Sequence, residues 1–310
     1  MAVLVCSEDM MMRKIRTAAA AALCAAAVGA GLVGCDGDSL ENWDPLASGT
    51  PKPETDAFTG TKKLDVGGRS VNVSCSGRSV KGGPVVVLML GAGDGLGKMA
   101  ALQKTLSGQN RVCSYDRLGA GASDQPDRPQ DFSSAGKVLT GVLDRVAGKD
   151  PVVLAGHSLG GLIAARYAPD HQDRVKGLVL MDATPPTMAA DITRTIPESA
   201  TGPAAQLRAQ NLAMFQGQNP EKLVITDGKV RSAGNVPVEV IKHGKPYLAA
   251  LPQYGPRLEQ AWSAGQRQWL ALSGRSKLST AATSAHYIYL DQPDVVVKAV
   301  QRVAGQVARP

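Results

Sequence analysis

Pro151-Val152-Val153-Leu154-Ala155-Gly156-His157-Ser158-Leu159-Gly160-Gly161 passes from an apolar run into a helical pattern with a serine at the corner. Val152–Ala155 is uninterrupted in its apolar character, as a strand buried on both faces requires. Leu159–Ala168 follows with a helical pattern. Between them, Gly156-His157-Ser158-Leu159-Gly160 has the form Gly-x-Ser-x-Gly. Such a corner forces the serine backbone to positive φ, so the positions two before and two after it tolerate no bulk. It also lifts the hydroxyl above the sheet and sets it at a helix N-terminus, where the dipole favours developing negative charge. A strand-to-helix setting makes Ser158 a candidate nucleophile.

The same rhythm extends in both directions. Val85–Leu90, Arg111–Tyr115 and Val175–Met181 are further apolar runs, and Ser134–Ala147 is helical in pattern. Lys63–Val66 and Val71–Cys75 flank Gly67-Gly68, which predicts a hairpin. Strands alternating with helices imply an α/β fold with a mostly parallel sheet covered on both faces. From Ala183 to about Asn235 the strand rhythm stops. Pro185, Pro186, Pro197 and Pro203 interrupt this segment and Ala204–Gln216 reads as helical, so an inserted cap is expected over about 184–235. A strand at Val236–Ile241, a helix at Pro256–Leu272, a strand leading to Tyr287 and a helix at Pro293–Val307 are expected to complete the core. No internal repeat is present at a solenoid period.

The chain has 310 residues, 44% hydrophobic and 20% charged, which suits a globular domain able to bury a large core. Its formal charge of +7 is modest, and no basic run with interleaved aromatics points to nucleic acid. Near the start, Arg13, Lys14 and Arg16 precede an apolar, Ala-rich run from Thr17 to Val33 that ends in Leu32-Val33-Gly34-Cys35. The order of charges and apolar run fits a signal peptide over 1–34. The Leu-x-Gly-Cys ending resembles the lipobox of bacterial lipoproteins, which implies lipidation of Cys35 and an extracytoplasmic, membrane-anchored protein. A plain secretory signal is the alternative. Residues 1–11 read as an upstream extension, since Met10, Met11 or Met12 could start a shorter signal. Residues 35–60, rich in Asp, Ser, Pro, Gly and Thr, read as a flexible tether before a domain over 61–310.

Taken together, three segments resemble the α/β-hydrolase superfamily over about residues 61–310. The first is the corner at Ser158. The second is Val85–Leu90 followed by Gly91-Ala92-Gly93, with Leu90 where the family usually has His. The third is Tyr115-Asp116-Arg117-Leu118-Gly119-Ala120-Gly121-Ala122-Ser123-Asp124, similar to the family's Asp-Arg-x-Gly-x-Gly-x-Ser segment. Nucleotide-binding readings of the Gly-rich turn fail: Met99 follows Gly97-Lys98, and Leu96 stands where a dinucleotide fingerprint needs Gly or Ala.

The resemblance implies an oxyanion hole from the backbone amides of Ala92 and Leu159, and a general base at His286 after the last strand. Chain order in the family, nucleophile then acid then His, leaves two candidates for the acid. Asp182 ends Val179-Leu180-Met181, and Glu259 is the carboxylate between His243 and Ala285. It also makes the strands of Cys75 and Cys113 neighbours, so these two form a disulfide or remain buried thiols. The implied activity is hydrolysis of carboxylic esters of a small-molecule acyl substrate through a Ser-His-Asp triad and an acyl-enzyme, with no metal or organic cofactor. Thioesterase, amidase or aminopeptidase, carbon–carbon hydrolase and perhydrolase chemistry use the same constellation. A non-catalytic surface binding protein is the alternative of another class.

Overall fold

A computed structural model describes residues 58–308. The signal-like segment, Cys35 and most of the tether lie outside the described residues. Eight strands form one sheet: β1 Gly60–Asp65, β2 Ser70–Ser76, β3 Val85–Met89, β4 Val112–Tyr115, β5 Val152–His157, β6 Val175–Met181, β7 Val238–His243 and β8 Ser276–Ala281. Their spatial order is β1-β2-β4-β3-β5-β6-β7-β8. The β1–β2 and β2–β4 pairs are antiparallel, and the other pairs are parallel. The α/β architecture expected from the sequence is therefore present, with an antiparallel hairpin at one edge.

The central strands are apolar throughout because they are covered on both sides. On β3, Val85, Val87 and Met89 face one layer, while Val86 and Leu88 face the other. The first layer contains α2 (Phe132–Val146), α3 (Leu159–Tyr167) and α6 (Gly255–Gln268), which contribute Leu139, Leu143, Leu162, Leu258 and Trp262. The second contains α1 (Ala100–Leu106) and α8 (Pro293–Val307), with Leu102, Leu106, Val296 and Val300. A strand sandwiched in this way has no polar face, which explains runs without alternation. Between β6 and β7 lie α4 (Met188–Thr195) and α5 (Gly202–Phe215). Asp227 holds the start of α4 by accepting the Ala189 and Ala190 amides at 3.0 and 2.7 Å. No described helix is long and apolar enough to cross a membrane.

Three element boundaries differ from the sequence reading in informative ways. Helix α2 begins at Phe132 because Asp131 and Ser134 cap each other reciprocally: the Ser134 amide donates to Asp131 Oδ1 at 2.7 Å, and the Asp131 amide donates to Ser134 Oγ at 2.8 Å. Strand β7 runs on to His243, two residues beyond the apolar run, because it pairs with β8 as far as Ala281. The last strand ends at Ala281, well before Tyr287. The loop that follows is fastened instead by side chains of the single turn α7 (Ile288–Asp291) and of Gln292. Asp291 Oδ2 accepts the Ala285 amide at 2.9 Å, and Gln292 Oε1 accepts the Thr283 amide at 2.9 Å.

Cys75 on β2 and Cys113 on β4 are direct cross-strand partners with Cα atoms 4.1 Å apart, and they are joined by a disulfide. The bridge closes a loop with a sequence separation of 38 and ties the hairpin edge to the parallel sheet. In the chain-entropy view a loop of that length contributes about 4 kcal/mol. Cys75→Ala combined with Cys113→Ala should lower the unfolding free energy by roughly that amount in chemical denaturation. Two thiols alkylatable in the native, unreduced protein would contradict the bridge.

Candidate active site

Ser158 lies between β5 and α3 with φ 52° and ψ −121°, in the left-handed region that a serine adopts only when its surroundings impose it. The surroundings are visible. Its amide donates to Met181 O at 3.1 Å, and its carbonyl accepts the amides of Leu162 at 3.1 Å and Thr184 at 3.0 Å. A Cβ on Gly156 would lie 2.6 Å from Gly160 backbone atoms, and one on Gly160 would lie 2.3 Å from Met89 O. Glycine at both positions lets the helix start press against the end of β3. Leu159 and Ala92 therefore sit on adjoining segments at the C-terminal edge of the sheet. The Ser158 hydroxyl is buried, 3.5 Å from Thr184 Oγ1.

Asp182 follows β6 with φ 44° and is fully buried. Its carboxylate collects donors from three directions. His286 Nδ1 lies 2.7 Å from Oδ2. His243 Nδ1 lies 2.8 Å from Oδ1, and Trp262 Nε1 donates to Oδ1 at 2.8 Å. Burial alone would raise the pKa of this carboxyl, but the hydrogen bonds from His243 and His286 outweigh it and hold the group well below the usual carboxylate range. Of the two carboxylates the sequence left open, Asp182 is the one in contact with His286. Glu259, on α6, instead hydrogen-bonds His243 Nε2 through Oε1 and accepts the Leu248 amide at 3.1 Å through Oε2.

His286 is also held from behind. Its carbonyl accepts a hydrogen bond from His157 Nε2 at 3.0 Å. Burial first, and then the neighbouring His286, push the His157 pKa well below its ordinary value, so His157 is a neutral donor. The Tyr247 hydroxyl oxygen, in the 3₁₀ turn Tyr247–Ala250, lies 3.3 Å from His286 Nδ1. His171 lies elsewhere, with its ring stacked on Tyr167.

The turn after β3 is braced by the Asp-Arg segment. Arg117 donates to the carbonyls of Leu90 at 2.6 Å and Gly91 at 2.8 Å, and it forms a buried, two-point ion pair with Glu221. Glu221 Oε1 in turn accepts the Gly93 amide at 3.3 Å. Asp116 accepts the amides of Leu96 at 2.8 Å and Ala122 at 2.9 Å. The glycine-rich turn bearing Ala92 is thus locked at once to the segment after β4 and to Glu221 in the segment between β6 and β7. Sequence reasoning gave no role to Glu221, Trp262 or Tyr247. No local motif surrounds them, and each acts across the fold on a residue far away in the chain.

A family profile described as alpha/beta hydrolase fold matches residues 84–219. The sheet order, mostly parallel with helices on both faces, agrees with it. This chain has the α/β-hydrolase fold. Among curated relatives, "Putative carbamate hydrolase RutD" of Klebsiella pneumoniae (strain 342) is 34% identical over 143 residues, 44% of this chain and 53% of that protein. The (lyso)-N-acylphosphatidylethanolamine lipase of Homo sapiens is 33% identical over 100 residues, 31% of this chain and 29% of that protein. The chain thus spans about half the length of the first of these relatives and less of the second. Among solved structures, the enol-lactonase from Burkholderia xenovorans LB400 superposes with a TM-score of 0.53 at 21% identity, over 78% of this chain and 99% of the other. That likeness is one of fold. The α/β-hydrolase fold accounts for the shared core; within it, Asp182, His243 and Glu259 form a hydrogen-bonded line.

This line has a consequence for stability. Burial would lower the His243 pKa, but hydrogen bonds to Asp182 and Glu259 raise it from 6.5 to about 9. Folding therefore favours the protonated ring. Its contribution is complete below the unfolded value of 6.5 and is lost as pH rises through about 9. Melting temperatures should accordingly fall between pH 7 and pH 10, and the fall should be smaller in His243→Gln. An identical slope in the two proteins would show that His243 is not the group responsible.

Proposed function

We propose that the protein is a serine hydrolase that cleaves carboxylic esters, with Ser158 as nucleophile, His286 as general base and Asp182 as the acid. The observation that carries this reading is the 2.7 Å contact of His286 Nδ1 with the buried Asp182 carboxylate, together with a buried serine held at positive φ after β5. With Nδ1 donating to Asp182, Nε2 is the nitrogen available to take the Ser158 proton as Oγ attacks the acyl carbonyl. The amides of Ala92 and Leu159 would stabilise the tetrahedral oxyanion, and the leaving alcohol would depart with the proton held by His286. Water, activated by the same imidazole, would attack the acyl-enzyme and release the acid and Ser158. Chemistry of this kind draws only on side chains and backbone amides. Esters are favoured over amides, thioesters and carbon–carbon bonds because they are the commonest substrates of this constellation, and one of the similar proteins is named as a lipase. A non-catalytic surface binding protein would bind ligand without labelling of Ser158.

Fluorophosphonate labelling with peptide mapping tests the reading. A rapid adduct is expected on Ser158, absent in Ser158→Ala and slowed by several orders of magnitude in His286→Ala and Asp182→Asn. Well-folded protein that forms no adduct would leave the binding-protein reading in its place.

The exported, lipid-anchored location is a further part of this proposal. It is supported by the order Arg13-Lys14-Arg16, apolar run, Leu32-Val33-Gly34-Cys35, and by a disulfide of the kind that persists outside the cytosol. Cys35→Ala should move the protein from the membrane fraction to the soluble exported fraction. Retention in the membrane by that variant would argue for another mode of attachment.

A further inference from the structure

The carboxylate that meets His286 is itself backed by a second histidine and a second carboxylate. Asp182 at the end of β6, His243 at the end of β7 and Glu259 on α6 stand in line, with one His243 nitrogen on each carboxylate. A neutral imidazole has one N–H and one lone pair. Whichever way it is turned, the lone pair would face a carboxylate oxygen and be repelled. Both contacts are satisfied together when the ring carries two protons. The titratable groups around the ring are Asp182, Glu259, Tyr247 from the 3₁₀ turn, and His286 across the shared carboxylate. Trp262 packs against it as well, with ring centroids 6.3 Å apart. His243 is buried, whereas the Glu259 side chain keeps 19% of its surface exposed, so the line runs from the buried acid out to the protein surface.

The charges along this line sum to that of a single carboxylate, but they are distributed differently. A cation touches Asp182 on the side away from His286, and the balancing negative charge lies farther out, where distance and water weaken its effect. We propose that His243 and Glu259 are positioning residues for the hydrolysis proposed above: the doubly protonated His243 ring, held on its far nitrogen by Glu259, draws the Asp182 charge away from His286 and thereby extends activity to more acidic solution. The proposal rests on the Ser158–His286–Asp182 reading. It assigns His243 a charge effect on the base, in addition to the orientation that any hydrogen-bond donor to Asp182 would give.

The test compares the wild-type protein with the His243→Gln/Glu259→Gln double variant, which removes both charges and keeps amide donors for Asp182. The rate of fluorophosphonate inactivation is followed from pH 5 to pH 10, together with the acid limb of p-nitrophenyl butyrate hydrolysis. A cation on the shared carboxylate disfavours a second cation across it, so removing it should shift the acid limb of the double variant upward by about one pH unit. A merely structural pair would lower the plateau and leave the limb in place, and that result would overturn the proposal. Independently of turnover, the protein contains four histidines, so the ring nitrogens are resolvable by ¹⁵N NMR. One ring protonated at both nitrogens should persist above pH 8 in wild type. Its absence there would also overturn the proposal, even if the double variant failed to fold. Wild-type protein that shows the doubly protonated ring but never labels at Ser158 would refute the hydrolase reading instead.

Discussion

A fully buried carboxylate at Asp182 organises this end of the molecule. An ionised carboxylate removed from water is strongly unfavourable unless hydrogen bonds and opposite charge compensate it. Here compensation comes from β7 through His243, from α6 through Trp262, and from the loop after β8 through His286. Each donor belongs to a different element, so satisfying one charge brings three segments into mutual register. The backbone contributes as well: the Asp182 amide donates to Ile241 O at 2.7 Å, and Gln266 Nε2 donates to Ala183 O at 2.7 Å. Removing Asp182 would therefore disturb packing as well as chemistry.

The serine side is organised by close approach instead of charge. Glycines at 156 and 160 allow β3, β5 and the start of α3 to meet within distances that any side chain would prevent. The resulting strain at Ser158 is held by backbone hydrogen bonds to Met181 and Thr184, on either side of Asp182. Ser158 and Asp182 are thus coupled through a few peptide groups at the edge of the sheet. The turn carrying Ala92 is fixed separately, by the Arg117–Glu221 ion pair between β4's following segment and the insertion. This pair makes the segment between β6 and β7 part of the site's support.

What could be read from the chain follows from how local each signal is. The strands at Val85–Leu90, Val152–Ala155 and Val175–Met181 were legible because strands covered on both faces must be continuously apolar. Ser158 was legible because its neighbours in sequence are also the residues that strain it. His286 stood out through chain order and its loop, whose Asp291 hydrogen-bonds the Ala285 amide. The choice between Asp182 and Glu259 was not legible. Asp182 at a strand end is the preferred reading and Glu259 within a helix the alternative, but which of them meets His286 depends on contacts between distant elements. His243 went without a role because two hydrophilic residues beyond an apolar run look like a strand end fraying into solvent. Pairing with β8 to Ala281 keeps them in the sheet and carries the ring inward.

The sequence by itself therefore determined the layered α/β architecture, the corner that presents Ser158 and the pairing of Cys75 with Cys113 as neighbouring-strand cysteines once the fold was assumed. Patterns of apolar period, glycine and chain order are written along the chain because each depends on residues that are close in sequence. Only the tertiary structure decided that Asp182 meets His286, that Glu259 meets His243, and that Glu221 reaches the turn beside Ala92. These contacts join residues up to 128 positions apart. Their energies depend on burial and on ångström-scale direction, and neither is encoded in any short stretch of the chain.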